Sequence, residues 1–125
     1  MGEYASILKT TILDLLEVLS ARMLNRSDEK EDLAVVSIFF NRAHELMIMD
    51  KVIEHVLPRK SQIEMRDQKF FEKNKFIFAG LPDNRVSHYE SILNDSSRIT
   101  KEDKDEIWQY VDTILTCAEE YKKNE

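Results

Sequence analysis

The stretch EYASILKTTILDLLEVLSARML, residues 3–24, decides the fold class. Tyr4, Leu8, Ile12, Leu15, Leu19 and Met23 follow one another at spacings of four and three, so on a helix they form one sustained apolar stripe. Ile7, Leu16 and Val18 widen it, and Asp14, Glu17 and Arg22 fall on the wet side. The segment predicts an amphipathic helix over about Glu3 to Leu24.

The rest of the chain agrees. Glycine and proline occur only twice each in 125 residues, and 34% of the residues are charged, which favours long helices. An all-β chain would need many more turn residues. With 42% apolar residues there is enough side chain for one core, so residues 1–125 are expected to form a single all-α domain, a compact bundle of about five or six helices. The formal charge of −6, with no Lys/Arg stripe along any helix, argues against nucleic acid as the main partner. The single cysteine, Cys117, permits no intramolecular disulfide, and no secretory leader pattern opens the chain, so an intracellular protein is expected. Charge breaks every apolar run well before ~18 residues, and no membrane insertion is expected.

After NRSDEKED, in which Ser27 or Asp28 is placed to cap, a second helix carries Leu33, Val36, Phe40, Ala43 and Met47, broadened by Phe39 and Leu46. Met49, Val52, Ile53, Val56 and Leu57 centre about a third of a turn away. A break near Met49, with Asp50 capping a short helix closed by Pro58, accounts for the shift; an unbroken helix drifting around the core is the alternative.

In LPRKSQIEMRDQKFFEKN, residues 57–74, Ile63, Phe70 and Ile77 recur every seven residues and Phe71 and Phe78 lie beside them. Phe70 and Phe71 are therefore expected in the core, on a helix with room for a kink near Asp67 and an end at Gly80 and Pro82. Phe76 falls off that stripe and is the candidate for an exposed protein contact. A short helix capped by Asp83 or Asn84 should turn Val86, Tyr89 and Leu93 inward. The last helix opens with the capping-box pair Thr100 and Asp103, centres its apolar face on Ile107, Val111, Ile114 and Ala118, and should reach about Tyr121 before a frayed tail at 122–125. Tyr110, Cys117 and Tyr121 sit toward one margin of that face and Trp108 on the other, the second candidate contact.

Chemistry is sparse. HELMIMDKVIEH brings His44, Glu45, Asp50, Glu54 and His55 close in sequence, but there is no HExxH, no Glu-x-x-His pair and, with a break at Met49, no common face for the two histidines; no metal is expected. These histidines and His88 read as solvated or capping groups. Cys117 lies late in a helix, away from the end that lowers a thiol pKa. The two glycines, Gly2 and Gly80, form no phosphate loop. No catalytic residue and no cofactor is assigned.

HVLPRKSQIEMRDQKFF, residues 55–71, followed by DEIWQYVDTIL, residues 105–115, resembles a pattern in small helical proteins encoded by large nucleocytoplasmic DNA viruses, including algal-virus and mimivirus-like groups. In that pattern a Leu-Pro with basic and Gln-Ile residues precedes an acid and a Phe-Phe pair, and an Ile-Trp-x-Tyr helix closes the chain. The resemblance covers about residues 55–121; FIFAGLPDNR is more apolar than the loop at that place in the pattern. It implies an all-helical viral protein and transfers no catalytic residue. The combined expectation is a non-enzymatic interaction or structural module that binds a protein partner or itself, in the host cell and in a virus particle or its assembly. The alternatives are an adaptor for a host or viral protein and a small helical enzyme without a recognisable motif.

Overall fold

The computed structural model describes residues 2–73, 78 and 80–124. As the periodicity predicts, it is all-α: among the described residues there is no strand. Five helices of the described residues have eleven residues or more: α1 (Gly2–Val18), α2 (Ser27–Arg42), α3 (Glu45–His55), α6 (Asp83–Leu93) and α7 (Lys101–Lys123). Two single-turn helices, α4 (Lys60–Glu64) and α5 (Lys69–Lys73), lie between α3 and α6.

Helix α1 is the central element. Ala5, Leu8, Ile12, Leu15 and Leu16 are buried along it, and it packs most extensively against α7, then α3 and α2. Its predicted run to Leu24 holds, with a change of pitch: Leu19–Met23 forms a π turn in which the Leu24 amide donates to the Leu19 carbonyl at 2.6 Å. The wider turn keeps Leu19, Met23 and Leu24 all on the core side.

The break in the second apolar stretch lies earlier than expected, at Ala43 and His44, both in extended conformation. The Lys9 ammonium reaches from α1 to donate to the carbonyls of Asn41 (2.9 Å) and Ala43 (3.0 Å), which satisfies the end of α2 there. His44 Nδ1 then accepts the Leu46 amide at 3.1 Å and opens α3. Met49 and Asp50 are consequently interior to α3, and Asp50 caps nothing. The re-aimed helix buries Ile48, Met49, Val52 and Val56 and turns Leu46 and Met47 out to solvent, so Met47 does not continue the α2 stripe. Pro58 falls in a 3₁₀ turn, Leu57–Arg59, that leads into α4.

The expected long helix through Phe70 is also broken, close to the allowed kink at Asp67. Arg66 adopts a left-handed φ of 55°, a conformation disfavoured by roughly 1–2 kcal/mol outside glycine. Its guanidinium offsets that cost with two parallel bonds of 2.7 Å to Asp112 of α7 and a third, at 3.2 Å, to the Ile63 carbonyl. Ile63, Phe70, Phe71 and Phe78 are buried as predicted, and Ile77 lies outside the described residues.

Gly80 takes the positive φ, 92°, foreseen for the end of that segment. Pro82, one residue ahead of the expected caps, begins α6, whose Val86, Tyr89 and Leu93 are buried. Thr100 and Asp103 form the predicted reciprocal cap on α7, at 3.1 and 3.3 Å. Helix α7 continues past Tyr121 to Lys123, because the Asn124 side chain donates to the Glu120 carbonyl at 2.7 Å and closes its last turn.

Candidate functional site

Two features stand outside the ordinary core: a polar cluster joining α2 to α6, and an apolar outer surface on α2 and the start of α3. The cluster begins with Glu29, which lies one turn before Leu33 on the buried stripe of α2 and is fully buried. Arg98, in the turn before α7, donates to both of its oxygens at 2.7 and 3.2 Å. Arg26, and not Ser27 or Asp28, occupies the N-cap position of α2; its amide donates to Oε1 at 3.2 Å, so the Glu29 carboxylate caps the helix start, and His88 Nε2 sits 3.1 Å from Oε2. Burial opposes the charge of Glu29, but the Arg98 and His88 hydrogen bonds and the Arg26 amide outweigh it and hold the carboxyl below the usual glutamate range.

A second set runs alongside. Arg85 of α6 donates to Asp32 at 2.7 Å and to Asp28 at 2.9 Å, and the Tyr89 hydroxyl donates to Asp32 at 2.6 Å. The Arg85 bond holds Asp28 below the ordinary aspartate range, whereas burial and the Asp32 bond push the Tyr89 phenol up. Tyr89 also stacks on Phe78, with ring centroids 4.9 Å apart. Each carboxylate in the cluster accepts from a cation, and Glu29 carries its charge well below neutral pH. The chemistry it offers is cohesion between distant segments rather than a proton acceptor tuned near neutrality. His88 is thus paired with a buried acid and is not a solvated or capping group.

Large apolar side chains are exposed at Val35, Ile38 and Phe39 on α2 and at Leu46 and Met47 on the first turn of α3. Val35 is 49% and Ile38 52% exposed, values that set them apart from the core stripe of the same helix. Beside them a groove of about 530 Å³ runs between α1 and α2, with Leu13, Leu16, Ala21, Leu33 and Ala34 in its walls and Glu17 and Lys30 at its edges.

The two residues expected to make contacts fare differently. Phe76 lies outside the described residues. Trp108 is not at the surface: it is 5% exposed, with its ring centroid 4.8 Å from Phe71 and 6.0 Å from Phe70 and the Arg66 guanidinium 5.3 Å above it. Its marginal place on α7 is covered by Phe70 and Phe71 of α5 and by the left-handed corner at Arg66, contacts that the periodicity of α7 by itself does not encode.

His44 and His55 bracket one unbroken helix, contrary to the expected interruption between them. Eleven residues along a helix separate them by about 16 Å, too far to share a coordination sphere. Among the described residues no group of three potential ligands could hold a metal ion. The Cys117 thiol is buried, which pushes its pKa up. No helix of the described residues is long and apolar enough to cross a membrane.

Comparison with protein-family models, curated proteins and solved structures finds no match for the chain.

Proposed function

We propose that this protein is a non-enzymatic interaction module whose contact surface is the outer side of α2 together with the first turn of α3. The observation that carries this reading is the grouping of Val35, Ile38, Phe39, Leu46 and Met47 as exposed large apolar side chains on two consecutive helices. Exposed apolar residues scattered singly need no explanation, but Val35, Ile38 and Phe39 fall within about 100° on one face of α2, and such a grouping marks an interaction surface. The other exposed large apolar residues among those described are Ile7 on α1 and Met65 at the end of α4. The polar cluster supports the same reading, since its ion pairs are spent on holding α2 and α6 together.

The resemblance to small helical proteins of large DNA viruses supports a place for that contact in a particle or its assembly, tested by copurification with purified particles. The surface itself is tested with a photo-reactive residue replacing Ile38 or Met47, and, as control, Thr113 on the exposed side of α7. A discrete adduct recurring at positions 38 and 47 and missing at 113 is expected. Equal labelling at all three positions would overturn the assignment.

A further inference from the structure

We infer that the outer strip of α2 is a self-complementary surface that pairs with α2 of a second copy of this chain, antiparallel, about a two-fold axis between Val35 and Ile38. The inference rests on the interaction surface proposed above and names its partner. Four exposed residues form the strip: Glu31, Val35, Ile38 and Arg42. At 3.6 residues per turn they lie within about 60° of one another, turned away from the buried Leu33, Val36 and Phe40. Their spacings are four, three and four, which read the same in either direction.

Reversal therefore superposes the strip on itself with opposite charges exchanged. When two copies of α2 run antiparallel, Glu31 of each faces Arg42 of the other, and Val35 of each lies opposite Ile38 of the other. That is the relationship an isologous contact requires. Within one copy neither Glu31 nor Arg42 makes an ion pair among the described residues, whereas the neighbouring Asp28, Glu29 and Asp32 are all engaged by Arg85 or Arg98. Glu31 and Arg42 are thus free to pair with a second copy, whereas Lys30, which also makes no ion pair among the described residues, lines the groove toward α1. The strip runs about 16 Å along the axis, so the contact is small and belongs to the weak, concentration-dependent class.

Sedimentation velocity at low salt over a concentration series reaching about 1 mM tests this, since that range captures weak pairing. The wild-type protein is expected to move from 14.8 kDa toward twice that mass. Glu31→Arg alone and Arg42→Glu alone place like charges at both ends of the contact, and each should weaken self-association on the order of tenfold. An equimolar mixture of the two variants restores opposite charges at both ends and should associate again. The double variant Glu31→Arg with Arg42→Glu should self-associate as the wild type does. This pattern requires the antiparallel register and is not produced by a general loss of folding. A wild type that stays monomeric through the series, or a mixture that associates no better than its components, overturns the self-contact. In that event a cross-link from position 38 to a different protein leaves α2 standing as a contact surface, and the absence of any adduct removes both readings.

Discussion

Arg98 donates to both carboxylate oxygens of Glu29, a residue sixty-nine positions earlier in the chain, and the acid it grips has no exposure to solvent. The Arg98 guanidinium also reaches the Met23 carbonyl at 3.5 Å, so a single side chain ties the π turn of α1, the start of α2 and the approach to α7 into one corner.

Arg98→Ala strips the buried acid of its charged partner. The expected loss of stability is about 3 kcal/mol, the low end for breaking a buried pair, because His88 remains 3.1 Å from the carboxylate. Glu29→Leu combined with Arg98→Leu removes both charges and should recover most of that loss. Chemical denaturation of the single and double variants checks it; additive losses would mean that the two residues are not coupled.

The same corner sets a pH dependence. Glu29 has its folded-state pKa below its unfolded value, so its contribution is complete above the ordinary glutamate value of about 4.3 and is lost as pH falls through the folded value. The wild type should exceed Glu29→Gln in stability at pH 7, and the gap should begin to narrow as pH falls below about 4.3. Denaturation midpoints from pH 7 down to pH 3 measure it. A gap that widens in acid would contradict the pairing.

Phe70 and Phe71 meet edge to face, with centroids 5.3 Å apart, and both lie against Trp108. Truncation of either to Ala should cost roughly 3–5 kcal/mol. Trp108 is the single tryptophan of the chain, so its fluorescence reports the same event: Phe71→Ala should shift the folded-state emission to longer wavelength as water approaches the indole. Unchanged emission and midpoint would place Phe71 outside the core.

Lys9→Met keeps the length of the side chain and deletes its two bonds to the end of α2. The expected destabilisation is about 1–2 kcal/mol, since these bonds join a charged donor to carbonyls that are partly open to water. Amide exchange should accelerate most around residues 41–46, where the bonds hold the corner. Acceleration confined to the far end of α3 would disprove the role.

Helix existence was legible wherever the core-facing residues of one helix repeat through it, as in α1 and α7. Some corners were legible too, at Gly80, at Thr100 and near Asp67, but the residues that hold the others are distant in sequence: Lys9 stops α2 from α1, and Asp112 stabilises the left-handed Arg66. Trp108 was misjudged for the same reason, as its cover comes from α5 and Arg66. The polar cluster did leave a trace in the sequence. Glu29 falls on the apolar stripe four residues before Leu33, and a charge at such a position needs a buried counter-charge; its partner, Arg98, has no local signature. Val35 and Ile38 lie off the buried stripe of α2, so the periodicity that marks the core carries no signal for the outer strip.

Helix α1 finds its largest partner in α7, and that has a consequence on the ribosome. About a hundred residues must be added after the apolar stripe of α1 emerges before α7 is available to cover it. At roughly 5–20 residues per second this interval lasts on the order of 5–20 s. Through that time Leu8, Ile12 and Leu15 have only the nearer helices α2 and α3 for shelter. Truncated products ending before Lys101 leave that stripe without its largest partner and should be cleared by proteolysis rather than accumulate.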